Sequence, residues 1–152
     1  MFAWRIARAP YADLAGAGAS ISPGRWNSIG HPVVYTAEAP ALAVLEVRVH
    51  LDLTPEFLPT DYELLKIDLG QAAIQEIVHL PVDPRAAGSD WLKNLNTPVL
   101  KVPSFIIPEH SNFLINPLHP DATRISIVDR RPFKFDERLW LPLSMPMRPP
   151  TG

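Results

Sequence analysis

The order of apolar and polar positions predicts many short elements rather than one dominant period. Residues 2–6, FAWRI, set Phe2, Trp4 and Ile6 against Ala3 and Arg5, the alternation of a half-buried strand. Residues 10–20 are rich in Ala and Gly and weakly helical at best, and SPGRWNSIGHP is a loop punctuated by Pro23, Gly24, Gly30 and Pro32. VVYT and YELLKIDL read as strands, while AAIQEIVHL fits either a strand or a helix. SDWLKNLN predicts a short helix capped by Ser89 or Asp90. PVLKVPSFIIP carries one or two strands broken at Pro103, and EHSNFLINPLHPD is a turn-rich loop with Pro117 and Pro120. TRISIVDRRPFKFDERLW gives two strands, over 125–128 and 132–135. Strands and helices mix without regular βαβ alternation, so the expected class is α+β in a single compact domain over 1–152, with its core over about 2–140.

The segment ALAVLEVRVH is ambiguous. As a strand it turns Leu45, Val47, Val49 and Leu51 inward and Glu46, Arg48 and His50 outward. As a helix it forms a stripe of Leu42, Leu45 and Val49, with Glu46 beside it. Pro40 suits a first helical turn, and Ala41 and Ala43 are good helix formers, so the helix is the reading taken. It is apolar nearly all round, as in a buried helix, which would leave Glu46 largely enclosed.

Composition narrows the function classes. The chain has 152 residues, 47% hydrophobic and 20% charged, with a net charge of −2, which gives no electrostatic footprint for direct nucleic-acid binding. No apolar run is long enough to span a bilayer, and Arg5, Arg8 and Pro10 interrupt the opening where a signal peptide would be continuously apolar. The absence of cysteine excludes disulfides, thiol catalysis and thiolate metal sites, and makes the cytoplasm the expected location. The 18 prolines accompany aromatic and long aliphatic residues, which argues for short elements joined by fixed turns, with a frayed Pro-rich tail over about 141–152.

Four positions carry candidate chemistry, and the histidines are weighed beside them. Arg25, in a Gly/Pro-rich loop, can reach a phosphate or carboxylate with its planar fork, or it can simply cover Trp26 at the surface. Tyr35 can wall a ligand pocket or belong to the core. Glu46, if enclosed, needs a partner, which Arg5, Arg25 or a ligand hydroxyl could supply; if extended, it is merely solvated. Ser104 lacks a Gly-x-Ser-x-Gly elbow and reads as a turn serine rather than a nucleophile. His31, His50, His79, His110 and His119 show no metal-ligand spacing, so no metal is expected, and GAGAS is not a dinucleotide-binding glycine pattern.

WRI near the start, GRWNSIGHPVVYTAEAPALAVLE, and VPSFIIPEHSNFLINPLHPD together resemble the RES domain, a family named for an arginine, a glutamate and a serine. The resemblance runs from about residue 2 to about residue 136, and residues 24–46 are its most specific part. It implies the toxin half of a bacterial toxin–antitoxin pair whose antitoxin is an Xre-type helix-turn-helix protein. It implies a fold similar to ADP-ribosyltransferase toxins, with mixed or antiparallel sheets, short helices and an NAD cleft. It also implies cleavage of NAD, as substrate, at the nicotinamide–ribose bond by hydrolysis or phosphorolysis. A protein mono-ADP-ribosyltransferase and an inactive partner of a DNA-binding antitoxin are the alternative readings. By position the family's catalytic residues fall on Arg25, Tyr35, Glu46 and Ser104, and its NAD-binding residues on Arg5, Arg25, Tyr35 and Ser104. Pro23 stands where a glycine often precedes GRW, and Ala39 where a serine often caps the helix, the latter forgoing about 1 kcal/mol. The acceptor, the antitoxin docking surface and a homodimer within the complex are left open by the sequence.

Overall fold

The computed structural model describes residues 1–140; the predicted frayed tail lies outside the described residues. In chain order the elements are β1 (Phe2–Arg8), α1 (Ala17–Ile21), β2 (Val34–Ala37), α2 (Pro40–Arg48), β3 (Tyr62–Asp68), β4 (Ile74–Glu76), α3 (Pro84–Asn94), β5 (Val99–Pro103), β6 (Ser111–Ile115) and β7 (Ser126–Pro132), with single 3-10 turns between several of them. The strands form one seven-stranded mixed sheet in the order β4-β5-β6-β2-β1-β3-β7. β4 and β5 are parallel, and the other neighbours are antiparallel. The fold is α+β. Among the described residues no helix is long and apolar enough to cross a membrane.

The sheet has a seam. β1 pairs with β3 along its whole length, from Phe2↔Asp68 to Arg8↔Tyr62, but meets β2 only at Trp4↔Ala37. One face presents a buried cluster of Ala3, Val34, Leu65, Ile67, Val99, Phe113 and Ile115. On the other face the two halves have different covers. α2 sets Leu42 and Ala43 on Ile6, Ala37 and Leu64, and α3 sets Trp91 and Leu92 near Leu100, Val102 and Leu114. Ala37 belongs to the first cover and Tyr35 packs against the second, so β2 spans the junction between them.

Several elements differ from the pattern-based expectation. α2 is a helix, as read, but only Leu42 and Ala43 are buried and Val49 is exposed, so it is half-buried rather than enclosed. α3 starts before the expected cap: Asp83 accepts from the Ala86 amide at 3.0 Å and Pro84 takes the first turn, which leaves Ser89 and Asp90 inside the helix. The expected loop over 109–121 contains β6, because Phe113, Leu114 and Ile115 are all buried and a strand covered on both faces shows no alternation. The two strands expected after residue 124 are one, β7; its exposed edge tolerates Asp129, Arg130 and Arg131. Phe133 and Phe135 leave the sheet, and Phe135 packs edge-on against Tyr62, ring centroids 5.2 Å apart. The ambiguous stretch over 72–80 supplies the short strand β4.

Candidate active site

Glu46 lies one helical turn beyond Leu42, on the flank of α2 that faces the sheet. The antiparallel pairing Val102↔Asn112 and Pro103↔Ser111 places Ser104 just past the end of β5, beside the start of β6. Both strands deliver a donor to the same carboxylate oxygen. Ser104 Oγ donates to Glu46 Oε1 at 2.8 Å, and Asn112 Nδ2 donates to the same atom at 2.8 Å. The Ile106 and Ile107 amides in turn donate to Ser104 Oγ at 3.1 and 3.2 Å. With its lone pairs occupied, the buried serine directs its proton at Glu46. It is arranged to hold the carboxylate, not to attack a substrate.

The turn carrying Ser104 is fastened to the entry of α2. Glu38 Oε1 accepts from the Ser111 amide at 2.9 Å and pairs with His110 Nδ1 at 2.6 Å. Ala39 makes no side-chain cap, as its residue type foretells, and Pro40 opens the helix.

Arg25 is exposed, and Trp26 beside it is buried. Its guanidinium carbon sits 3.4 Å from the centroid of Phe105, the residue after Ser104. The loop that presents it is organised by Asn27, which is fully buried. Asn27 Oδ1 accepts from the Gly24 amide at 2.8 Å and from the Tyr35 hydroxyl at 2.7 Å, and Asn27 Nδ2 donates to the Ala19 and His31 carbonyls at 2.8 and 3.0 Å. Tyr35 also accepts from the Trp26 amide at 3.0 Å, and burial pushes its hydroxyl up to about 12. Two glycines admit this arrangement. A Cβ on Gly24 would lie 2.7 Å from the Tyr35 ring, and one on Gly88 of α3 would lie 1.9 Å from the Trp26 carbonyl oxygen.

The structure therefore brings Glu46 and Ser104 into direct contact and links Arg25 to them through Phe105. Tyr35 supports the Arg25 loop. Arg5 is not drawn into this group. By strand alternation it shares the face of Ala3 and Ala7, and its guanidinium donates to the Tyr11 and Asp13 carbonyls. Burial pulls the Arg5 pKa below its ordinary value, with Asp13 opposing the shift. Arg48 is structural: Nε donates to the Leu139 carbonyl at 3.0 Å, and the guanidinium stacks on Trp140.

Sequence reasoning passed over Asn112, Asn27 and Phe105. Each stands in or beside a motif already singled out, Asn112 in SNFLINPLHPD, Asn27 in GRWN, and Phe105 next to Ser104. A depression of about 230 Å³ lined by His31, Leu92, Lys93, Leu95 and Leu118 includes none of the candidate groups. Among the described residues no cluster of three or more His, Asp or Glu side chains is placed to hold a metal ion.

The RES domain family model matches residues 2–136. Toxin Res of Pseudomonas putida is 39% identical over 150 residues, covering 92% of this chain and 100% of that protein. The Prs ADP-ribosylating toxin of a Sphingobium species is 40% identical over 154 residues, covering 90% of this chain and 94% of that protein. The crystal structure of the M. tuberculosis MbcT-MbcA toxin–antitoxin complex contains a chain of similar fold, with a TM-score of 0.68 and 18% identity, covering 88% of this chain and 84% of that one. The Glu46–Ser104 pair and the Arg25 loop lie within a matched region that spans nearly the whole described chain, and the protein belongs to the RES domain family, homologous to the bacterial Res toxins.

Proposed function

We propose that this protein is the toxin of a bacterial toxin–antitoxin pair and that it cleaves NAD at the nicotinamide–ribose bond. The observation that carries the reading is the Glu46 carboxylate. One oxygen is taken by Ser104 and Asn112, while no side chain or amide among the described residues donates to Oε2. In the reaction the C1′–N bond breaks and its electron pair leaves with the ring nitrogen, giving neutral nicotinamide. Positive charge develops on the ribose, as in glycoside hydrolysis. An oriented carboxylate stabilises that charge as it forms and holds the ribose hydroxyls. No general acid is required, because the leaving group departs neutral. An acceptor then closes the bond at C1′; if it is water, one proton is released. Arg25, held out by the Phe105 ring, supplies a cation for the pyrophosphate. Tyr35 acts by holding the loop that presents Arg25, whereas Arg5, on the opposite face of the sheet and bonded to the Tyr11 and Asp13 carbonyls, takes no part in this reading.

A second reading, transfer of ADP-ribose to a protein, is favoured by the 40% identity to a toxin named for ADP-ribosylation. It shares the bond-breaking step and differs only in the acceptor. The partner proposed for either activity is an Xre-type helix-turn-helix antitoxin, in keeping with the fold shared with a chain from a toxin–antitoxin complex.

The test is to mix purified, antitoxin-free protein with NAD and measure free nicotinamide with and without phosphate. A parallel reaction with labelled NAD and cell lysate separates the acceptors, since only transfer leaves label on a protein band. No nicotinamide under any of these conditions, from protein shown to be folded, would overturn the reading.

A further inference from the structure

Asn112 is the second residue of β6, opposite Ala37 of β2 and Val102 of β5. Its amide is arranged at a cost. Nδ2 donates to Glu46 Oε1 at 2.8 Å, but Oδ1 is buried and meets no donor among the described residues. A buried carbonyl without a donor is unfavourable. Rotating the amide by half a turn would not relieve it, because Oδ1 would then press against a carboxylate oxygen, acceptor against acceptor. The orientation of Asn112 is thus imposed by Glu46. If the position served packing alone, an apolar side chain would fill it without the orphaned oxygen.

We infer that Asn112 is a positioning residue for the reaction, fixing which carboxylate oxygen of Glu46 is offered to the substrate ribose. The inference rests on the NAD-cleavage reading above. Ser104 alone would leave Glu46 free to swing about the single Oγ–Oε1 contact. Asn112 reaches the same oxygen from a neighbouring strand, so rotation of the carboxylate breaks two hydrogen bonds instead of one. Oε1 is committed to the protein, and Oε2 is left for the ligand. Asn112 itself touches neither the ribose nor the nicotinamide; it acts through Glu46.

The test uses the full chain and NAD. Asn112→Leu keeps the branching at Cγ and removes both the donor and the orphaned acceptor. The expected result is a fall in kcat of about ten- to a hundredfold, the scale of a misplaced reacting group, with KM held within about threefold and no loss of melting temperature. Asn112→Ser, too short to reach Glu46, gives the same split if the leucine variant fails to fold. A folded variant with wild-type kcat, or one changed only in KM, overturns the inference while leaving the NAD reading intact. A lowered melting temperature with unchanged kcat per folded molecule also overturns it, since that is the mark of a packing role. Absence of nicotinamide release by the wild-type protein overturns the reading beneath it, and the inference with it.

Discussion

The Arg25 guanidinium lies over the Phe105 ring, 3.4 Å from its centroid, and Phe105 directly follows the serine that holds Glu46. A cation from the Gly24 loop is thereby parked beside the carboxylate site, with no acidic partner among the described residues to neutralise it. An exposed stack of this kind contributes about 0.5–1 kcal/mol. Phe105→Ala should therefore raise the KM for NAD by about two- to fivefold, with kcat nearly unchanged. Steady-state kinetics decide it, and an unaltered KM would remove Phe105 from the account.

Gly88 offers a test in which two general rules oppose each other. An interior helical glycine replaced by alanine ordinarily gains about 1 kcal/mol. Here the new methyl would sit 1.9 Å from the Trp26 carbonyl oxygen, against backbone that Ser28 also ties to Ser89 at 3.1 Å. Gly88→Ala should therefore lose about 1–3 kcal/mol, the range of overpacking. Urea unfolding reads the sign directly; a stabilised variant would mean the loop yields freely to α3.

Tyr35 gives a pH dependence. Burial lifts its hydroxyl from an ordinary value of 10.0 to about 12. Between those values the unfolded chain releases this proton and the folded one keeps it, so the unfolded state binds fewer protons and stability falls as pH rises. The contribution is fully present below pH 10 and is lost through the window up to about 12, at roughly 1.4 kcal/mol per pH unit. Tyr35→Phe lacks this slope and also loses the bond to Asn27. Urea midpoints of both proteins from pH 9 upward should converge; parallel curves would contradict the assignment.

Glu46 illustrates how far the sequence could be read. Its apolar surroundings and Pro40 pointed to a helix, and α2 is one, but no periodicity could say that a serine 58 residues away would bind the carboxylate. That contact depends on β5 and β6 pairing, and β6 was hidden: the consecutive buried residues Phe113, Leu114 and Ile115, in a segment between prolines, show no alternation to detect. Asn112 was lost with that strand. α3 was misplaced for a local reason, since Asp83–Pro84 signals a turn and a helix start equally well. Arg5 was expected as a partner for Glu46 or for NAD, but its attachment to the Tyr11 and Asp13 carbonyls follows from the path of the chain after β1.

The role proposed for the Glu46 carboxylate is to drive cleavage of the nicotinamide–ribose bond. Glu46→Gln keeps an acceptor for Ser104 and Asn112 and removes only the charge on the other oxygen. The direct measurement is nicotinamide release by wild-type and variant proteins of matched melting temperature. The expected result is turnover by the wild type and a loss of about 10²–10³ in the variant, the scale of removing one electrostatic stabiliser. Undiminished turnover by the folded Glu46→Gln protein would contradict the account.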